Sequence, residues 1–196
     1  MLFRSRQERQ RHFAVAVVLA FLPAAVLGSL LHGFIKSVLF NPTVVCVALI
    51  VGGIVILLVE RLVPPARHHE IEQFSAGLAL KIGLCQCIAM IPGVSRSGAT
   101  IIGSLLMGVD RRTAAEFSFF LAIPTMLGAT VFDLYKNWGT LTFDGIELIA
   151  VGFVLAFLSA IVVVRTFIDF ISRYGFAPFA WYRIVLGLGM LALIYL

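Results

Sequence analysis

Two long uncharged apolar runs restrict what this chain can fold into. Phe13–Leu31 and Pro42–Val59 contain no charged residue over 19 and 18 positions. An α-helix rises about 1.5 Å per residue, so runs of this length cross a hydrocarbon core about 30 Å thick. Three further apolar segments have similar lengths: Thr113–Leu134, Ile146–Val164 and Phe179–Leu196. The sequence therefore predicts an all-α polytopic membrane protein, with about five transmembrane helices in a single membrane domain over residues 1–196.

The composition agrees with a membrane protein and disfavours other classes. Hydrophobic residues make up 61% of the chain, charged residues 13%, and the mean hydropathy is +1.05, values outside the range of soluble domains. The net charge of +5 is explained by basic residues in short loops beside apolar runs, so we expect no nucleic-acid partner. The polar segment Glu60–Glu72 holds two adjacent histidines without a metal-binding spacing, and it is interpreted as an aqueous loop. His32–Asn41 is interpreted as a short turn between the first two spans.

A charged residue interrupts the apolar middle of the chain. Arg96 lies between two uncharged runs, Ile82–Val94 and Ser97–Val109, within the sequence PGVSRSGAT at residues 92–100. A charge deep in a membrane protein costs a few kcal/mol on insertion scales, so such a residue is by default a functional-site hypothesis. Arg96 is therefore the centre of the predicted site.

The chemistry around Arg96 suits a phosphate group. Pro92 and Gly93 end one helix and Ser97 begins another, so backbone N–H groups and the positive end of a helix dipole face the break. Arg96 supplies a planar charged fork for two phosphate oxygens. The predicted catalytic residues are Arg96 and Ser95, and the predicted substrate-binding residues are Ser97, Gly98, Thr100 and Gly93. The alternative is structural: a serine caps the helix and Arg96 pairs with a carboxylate.

The segment around this motif is predicted to enter the membrane and return. Its second arm, Ser97–Val109, rises only about 20 Å as a helix, too little to cross the core. We therefore predict a re-entrant helix-loop-helix hairpin over about residues 71–109, with its tip shielded by protein. Thr100, Ser104 and Gly108 recur at four-residue spacing, a small-residue stripe that lets another helix approach closely. Lys81 is expected to extend to the membrane interface, and Glu116 to lie at the interface beside Arg112.

The distribution of basic residues predicts the orientation. With Lys81, Arg96 and Arg183 set aside as membrane-embedded, one side carries ten basic residues and the other two, Lys36 and Lys136. The ten are Arg4, Arg6, Arg9, Arg11, Arg61, Arg67, Arg111, Arg112, Arg165 and Arg173. The basic side is expected to be cytoplasmic. A hairpin rising from it would place its tip nearer the outer surface.

Several motifs give the chain a specific family resemblance. PGVSRSGAT, MGVDRRTAAEFSFFLAIPTMLGAT and DLYKNWG resemble the second signature region of the bacterial undecaprenyl-diphosphatases, the BacA/UppP family. The resemblance implies hydrolysis of undecaprenyl diphosphate to undecaprenyl phosphate, which recycles the lipid carrier for cell-wall synthesis and bears on bacitracin resistance. It also implies a protein of the bacterial plasma membrane, in contact with membrane lipid, with an outward-facing active site and a possible homo-oligomer.

The resemblance also implies chemistry that these residues do not supply. The family depends on a divalent cation such as Mg²⁺ or Ca²⁺, and its members begin with a segment carrying a glutamate-rich motif and an SSTGH-like motif. Neither motif occurs in the 196 residues, so no metal ligand can be assigned. We expect the polypeptide as given to have little diphosphatase activity by itself, and a truncated, inactive member of the family remains an alternative.

Two other functions are alternatives to hydrolysis. A lipid flippase or transporter also uses broken helices whose dipoles face an anionic substrate. A type-2 phosphatidic acid phosphatase would need His at position 102 and Asp at position 106, where this chain has Ile102 and Leu106. The phosphatidic acid phosphatase class is excluded because the chain lacks its motif.

The hairpin predicts that the loops around Arg67 and Arg111 lie on the same side of the membrane. Single cysteines placed there, in a protein lacking Cys46, Cys85 and Cys87, should resist an impermeant maleimide in intact cells and react after permeabilisation. Labelling of one site but not the other in intact cells would show that the chain crosses the membrane between them.

Overall fold

The computed structural model describes residues 6–138 and 146–196, and these residues are almost entirely helical. Seven α-helices occur in this part of the chain. They are α1 (Arg6–Phe34), α2 (Pro42–Leu62), α3 (Ala76–Cys87), α4 (Arg96–Leu106), α5 (Arg111–Lys136), α6 (Ile146–Tyr174) and α7 (Ala177–Tyr195). Five of them, α1, α2, α5, α6 and α7, are long and apolar enough to cross a membrane. The prediction of an all-α, multi-pass membrane protein is confirmed.

The predicted turn at His32–Asn41 is wrong over most of its length. Helix α1 continues to Phe34, and a π-helical turn follows over Ile35–Leu39. The helix breaks only at Phe40 and Asn41, because the residue before a proline disfavours the helical conformation. Asn41 then caps α2 by accepting the Thr43 N–H at 2.8 Å.

The fourth span is longer than predicted. Helix α6 runs to Tyr174, ten residues beyond the predicted end at Val164, so the basic stretch with Arg165 and Arg173 is helical. No glycine or proline interrupts residues 165–174. The helix ends at Gly175, whose φ of +72° is a left-handed conformation that favours glycine.

The hairpin is present, and its two ends meet. Helix α3 and a 3₁₀ turn at Ile88–Met90 form the first arm, and α4 forms the second. At the open end, the Arg67 N–H donates to the Gly108 carbonyl at 2.7 Å, and the Asp110 N–H donates to the His68 carbonyl at 3.1 Å. The two ends of the hairpin therefore lie at the same end of the bundle, as predicted.

The hairpin packs against α1 and α5. Phe74, Phe117 and Leu121 are fully buried between these elements, and the rings of Phe74 and Phe117 lie 4.9 Å apart. Thr100 and Ser104, two members of the predicted small-residue stripe, are also fully buried. Helices α2 and α7 form a second close pair alongside the hairpin. Protein surrounds the hairpin on several sides, but the predicted shielding of its tip is only partial, because Ile91 and Ser95 are exposed.

Glu116 lies beside Arg112 as the sequence indicated, and Lys81 is exposed. The Arg112 Nε donates to Glu116 Oε1 at 2.8 Å in a largely exposed pair, which confirms the predicted neighbourhood of Glu116. Lys81 is exposed on α3, so its side chain is free to reach the interface.

Helices α1 and α3 approach each other closely at Gly83, and this approach predicts a stability effect. A Cβ at Gly83 would collide with the Ala20 carbonyl oxygen and lie 2.8 Å from the Ala20 Cα, whereas a Cβ at Gly77 on the same helix would meet open space. Gly83→Ala should therefore destabilise the protein by about 1–3 kcal/mol, the usual cost of overpacking. Gly77→Ala should be neutral or slightly stabilising, since alanine is the better helix former. Thermal unfolding in detergent checks both, and equal melting of the two variants would contradict this packing.

Candidate functional site

The hairpin tip packs closely against α2 at Gly93. Gly93 has a φ of +94°, and a Cβ there would lie 2.6 Å from the Val45 carbonyl oxygen and 3.0 Å from the Ala48 Cβ. Both the backbone conformation and the close approach require glycine at this position. Gly93, predicted to bind substrate, therefore also fixes the tip against its neighbouring helix.

Ser95 begins α4 in a strained conformation. Its φ is +74°, the only positive value at a non-glycine residue in the described part of the chain. Its hydroxyl accepts the Gly98 N–H at 3.2 Å and lies 3.3 Å from the Ser97 hydroxyl. A non-glycine residue in such a region costs about 1–3 kcal/mol, and such strain is concentrated at active sites and ligand-binding turns. The predicted residues Ser95, Ser97 and Gly98 are thus brought together in one turn.

A second arginine, Arg183 of α7, donates hydrogen bonds to the backbone of this turn. It is 9% exposed. Its Nη1 donates to the Val94 carbonyl at 2.9 Å, and its Nη2 donates to the carbonyls of Gly93 at 2.8 Å and Ala48 at 3.2 Å. The Gly93 and Val94 carbonyls lie where the chain leaves helical hydrogen bonding, so Arg183 supplies partners that these two would otherwise lack. The Ala48 carbonyl lies within α2 and is also an acceptor in the hydrogen bonding of that helix.

The sequence interpretation assigned no function to Arg183. A usable signal was nonetheless present, because Arg183 is the only charged residue in Ala177–Leu196. The argument that singled out Arg96, the cost of a charge within an apolar span, applies equally to it. What the sequence could not supply was its partner, since residues 93 and 183 are joined only by the tertiary fold.

The contacts of Arg183 also set the direction of the backbone N–H groups. A trans peptide is planar with its C=O and N–H opposed, so the Val94 carbonyl facing Arg183 turns the Ser95 N–H away from it. The amides of Gly98 and Ala99 are taken by Ser95. Those of Ser95, Arg96 and Ser97 have no hydrogen-bond partner in residues 6–138 and 146–196. Three successive free amides at a turn and helix N-terminus form an anion-binding arrangement.

Arg96 is half-buried and held at one end. Its Nη1 donates to the Ser118 carbonyl at 2.9 Å. Within the described ranges no carboxylate lies within 4.0 Å of it, so the alternative of pairing with a carboxylate finds no support there. Its Nε and Nη2 make no hydrogen bond within the described ranges, so they are available to a ligand. One bond to α5 therefore orients the guanidinium and leaves the remaining donors for an anion.

Thr100 lies apart from the exposed end of the turn. Its side chain is fully buried, and its hydroxyl lies 2.7 Å from the Ser118 hydroxyl and 3.1 Å from the Arg96 carbonyl. This bonding joins α4 to α5 next to the carbonyl that holds Arg96. In this conformation the Thr100 hydroxyl is engaged in these contacts, and its predicted contact with substrate stays a prediction.

A cavity of about 710 Å³ opens beside Arg96, between α1, the end of the first hairpin arm and α5. Most of its walls are apolar, and a few polar side chains face it: Arg96, Gln86, Thr125, Ser29, Thr130 and Asp133. Gln86 is 2% exposed. Its Oε1 lies 3.4 Å from the Thr125 hydroxyl, while its Nε2 is buried without a partner in the described structure. An apolar cavity with a few polar groups at one site suits an amphiphile with an anionic head. Ser95, Ser97 and Gly98 do not line it.

The divalent cation implied by the resemblance does not fit these residues. The described ranges contain no group of three His, Cys, Asp or Glu side chains that could hold a metal ion. Asp133 is the only carboxylate on the cavity wall, and it already accepts the Asn137 side-chain amide at 3.1 Å. No step of the chemistry is therefore assigned to a cation here.

Comparison with known proteins identifies the family. The family model described as "Bacitracin resistance protein BacA" matches residues 1–189. The chain belongs to the BacA family. It is 62% identical over 188 residues to "Undecaprenyl-diphosphatase 2" of Paramagnetospirillum magneticum, covering 96% of this chain and 72% of the relative. It is 61% identical over 188 residues to "Undecaprenyl-diphosphatase 1" of Agrobacterium fabrum, covering 95% and 70%. A third relative, "Undecaprenyl-diphosphatase" of Sinorhizobium fredii, is 58% identical over 180 residues, covering 91% and 67%.

The Arg183 contacts predict that this residue tolerates no charge-conserving replacement. Arg183→Lys keeps the charge but loses the fork, so at least one of the three carbonyls loses its donor. A buried group left without a partner costs about 1–3 kcal/mol, and the melting temperature in detergent should fall accordingly. Arg165→Lys, an exposed change on α6, is the matched control and should melt like the unmodified protein. Unchanged melting of Arg183→Lys would mean that the tip does not depend on this arginine.

Proposed function

We propose that this member of the BacA family hydrolyses undecaprenyl diphosphate to undecaprenyl phosphate and inorganic phosphate. Water attacks the terminal phosphorus, the phosphoanhydride P–O bond breaks, and the lipid phosphate leaves. The product is the lipid carrier used in cell-wall synthesis. The observation that carries the proposal is the identity of 62% and 61% to two undecaprenyl-diphosphatases over almost the whole chain.

The geometry at the hairpin tip supports this reaction. In phosphoryl transfer the protein contributes mainly positioning and electrostatic stabilisation of charge on the transferring phosphate. The free nitrogens of Arg96 and the unpaired amides of Ser95, Arg96 and Ser97 are donors of the required kind. They are fixed before substrate binds, by Ser118 on one side and Arg183 on the other.

The cavity beside Arg96 supports a lipid substrate. Its walls are mostly apolar, and its volume of about 710 Å³ is in the range of small-molecule sites. A polyprenyl chain would lie against apolar side chains such as Phe21, Met90 and Phe132, while its diphosphate approaches Arg96. A transporter would present a similar cavity, but the relatives are named as diphosphatases, and hydrolysis is therefore favoured.

The proposal extends to the setting of the site. We place the protein in the bacterial plasma membrane with the hairpin tip nearer the outer face. This rests on the basic residues gathered at the end where Arg67 and Gly108 meet, since such residues mark the cytoplasmic side. A requirement for Mg²⁺ or Ca²⁺ and assembly into a homo-oligomer are proposed from the family resemblance alone.

Arg96 provides the test of the proposed function. In a protein that joins this chain to a segment carrying the family's glutamate-rich and SSTGH-like motifs, Arg96→Lys keeps the charge but loses the fork, and it should lower phosphate release from a polyprenyl diphosphate by about 10²- to 10³-fold. Arg96→Ala should be at least as damaging. Lys81→Ala, which removes an exposed charge from α3, should have little effect.

Both turnover and melting temperature are needed to interpret these variants. A catalytic Arg96 predicts lost turnover with nearly normal melting, because only its bond to the Ser118 carbonyl is lost. A purely structural Arg96 predicts that both fall together. Near-normal turnover of a stable Arg96→Lys protein would remove Arg96 from the catalytic residues.

A further inference from the structure

A second cavity lies at the opposite end of the bundle from the hairpin tip. Its volume is about 480 Å³, and it is formed where α2 and α6 end and where α5 and α7 begin. Three arginines, Arg61, Arg111 and Arg173, line it together with one carboxylate, Glu60. It shares no residue with the cavity beside Arg96. We call it the basic pocket.

Glu60 accepts a hydrogen bond within the fold and offsets only part of the positive charge of the three arginines. Its Oε1 accepts the Phe176 N–H at 2.6 Å, which ties the turn between α6 and α7 to α2. Gly175, at a φ of +72°, approaches the carboxylate so closely that a Cβ would collide with Oε1. The Arg111 Nη2 lies 3.8 Å from the same oxygen, beyond hydrogen-bonding distance. Glu60 therefore attracts Arg111 without occupying its donors.

The other two arginines have no acidic partner. Arg61 and Arg173 are exposed, and within residues 6–138 and 146–196 neither has a carboxylate within 4.0 Å. Three guanidinium groups and one carboxylate give the pocket a net charge of 3 − 1 = +2. Converging like charges repel one another, and a bound anion would remove that repulsion. Guanidinium groups bind phosphate oxygens in pairs, so a phosphate anion is the ligand that these side chains suit best.

The remaining walls favour a phosphate attached to a lipid. Leu57, Ala177 and the indole of Trp181 line the same cavity, and Trp181 is 58% exposed. Exposed tryptophan at the end of an apolar helix is typical of the membrane interface. Basic pockets between transmembrane helices at that level bind anionic lipid head groups. A free phosphate ion would use the arginines but not the apolar wall.

We propose that the basic pocket binds the phosphate head group of an anionic phospholipid, through Arg61, Arg111 and Arg173. The ligand stabilises the junction of α2, α5, α6 and α7, where Glu60 already holds the turn before α7. The pocket is separate from the hairpin tip, so the proposal stands independently of the hydrolysis proposed above.

The test compares charge removal inside and outside the pocket. The full protein is placed in nanodiscs of phosphatidylcholine with increasing phosphatidylglycerol, and its melting temperature is measured at each composition. The pocket variant is Arg61→Gln with Arg173→Gln. The control is Arg11→Gln with Arg165→Gln, two exposed arginines that do not line the pocket. Both variants lose the same charge, and α6 carries one change in each.

The expected result is specific to the pocket. Phosphatidylglycerol should raise the melting temperatures of the unmodified protein and of the control. Half of the rise should occur at the same phosphatidylglycerol content in both. The pocket variant should need at least about 10-fold more phosphatidylglycerol, because it loses two guanidinium groups that donate charge-assisted hydrogen bonds to the head group. Equal weakening in both variants would show a general attraction to the basic surface and overturn the proposal.

Two further comparisons make the result interpretable: a titration with free phosphate and a baseline melting temperature for each variant. Inorganic phosphate titrated into pure phosphatidylcholine discs should leave the melting temperature unchanged; a shift that the pocket variant abolishes would identify free phosphate as the ligand and overturn the lipid assignment. Each variant is compared with its own melting temperature without phosphatidylglycerol, so a lower baseline does not mimic lost binding. If the double variant does not fold, Arg173→Gln alone is compared with Arg165→Gln alone, and equal midpoints contradict the proposal.

Discussion

The broken backbone at the hairpin tip depends on the guanidinium of Arg183. A chain that leaves helical hydrogen bonding inside an apolar environment must find partners for its carbonyls, because no water is present to take their place. Arg183 donates to two of them, on Gly93 and Val94, and also to the Ala48 carbonyl within α2, and so joins α7, the tip and α2 at one point. The same contacts turn the following amide outward. The structural requirement of the tip and the anion-binding arrangement of α4 are therefore two results of one interaction.

The sequence predicted the elements whose causes are local. Helix-breaking residues at Pro92 and Gly93 and the shortness of the second arm are enough to indicate a hairpin, and α3 and α4 confirm it. The ends of the helices were harder to predict. Helix α1 passes through His32 and Gly33, and α6 continues through Arg165. In these places the helix continues past the polar residues to the next strong helix-breaking position, which is the step before Pro42 for the first and Gly175 for the second.

Contacts between distant residues could not be predicted from the sequence. The spacing of Ser95, Ser97 and Thr100 did not distinguish hydroxyls that face a ligand from those that join helices. The structure places the Thr100 hydroxyl against Ser118 of α5, because its face of α4 is the one that packs. Arg183 is the stronger example: its charge was visible in the sequence, but its partners lie 89 and more positions away.

The two arginines near the tip differ in how many of their donors the fold uses, and this difference separates their roles. Arg183 is buried and donates three hydrogen bonds to backbone carbonyls through its Nη atoms, while its Nε is buried without a partner in the described part of the chain and does not line the cavity beside Arg96. Arg96 gives one donor to Ser118 and lies on a cavity wall with the rest uncommitted. A guanidinium anchored at one end loses less freedom when an anion binds, and preorganised donors of this kind stabilise developing charge at little reorganisation cost. The arrangement therefore supports the proposed division of roles, in which Arg183 holds the backbone and Arg96 binds the phosphate.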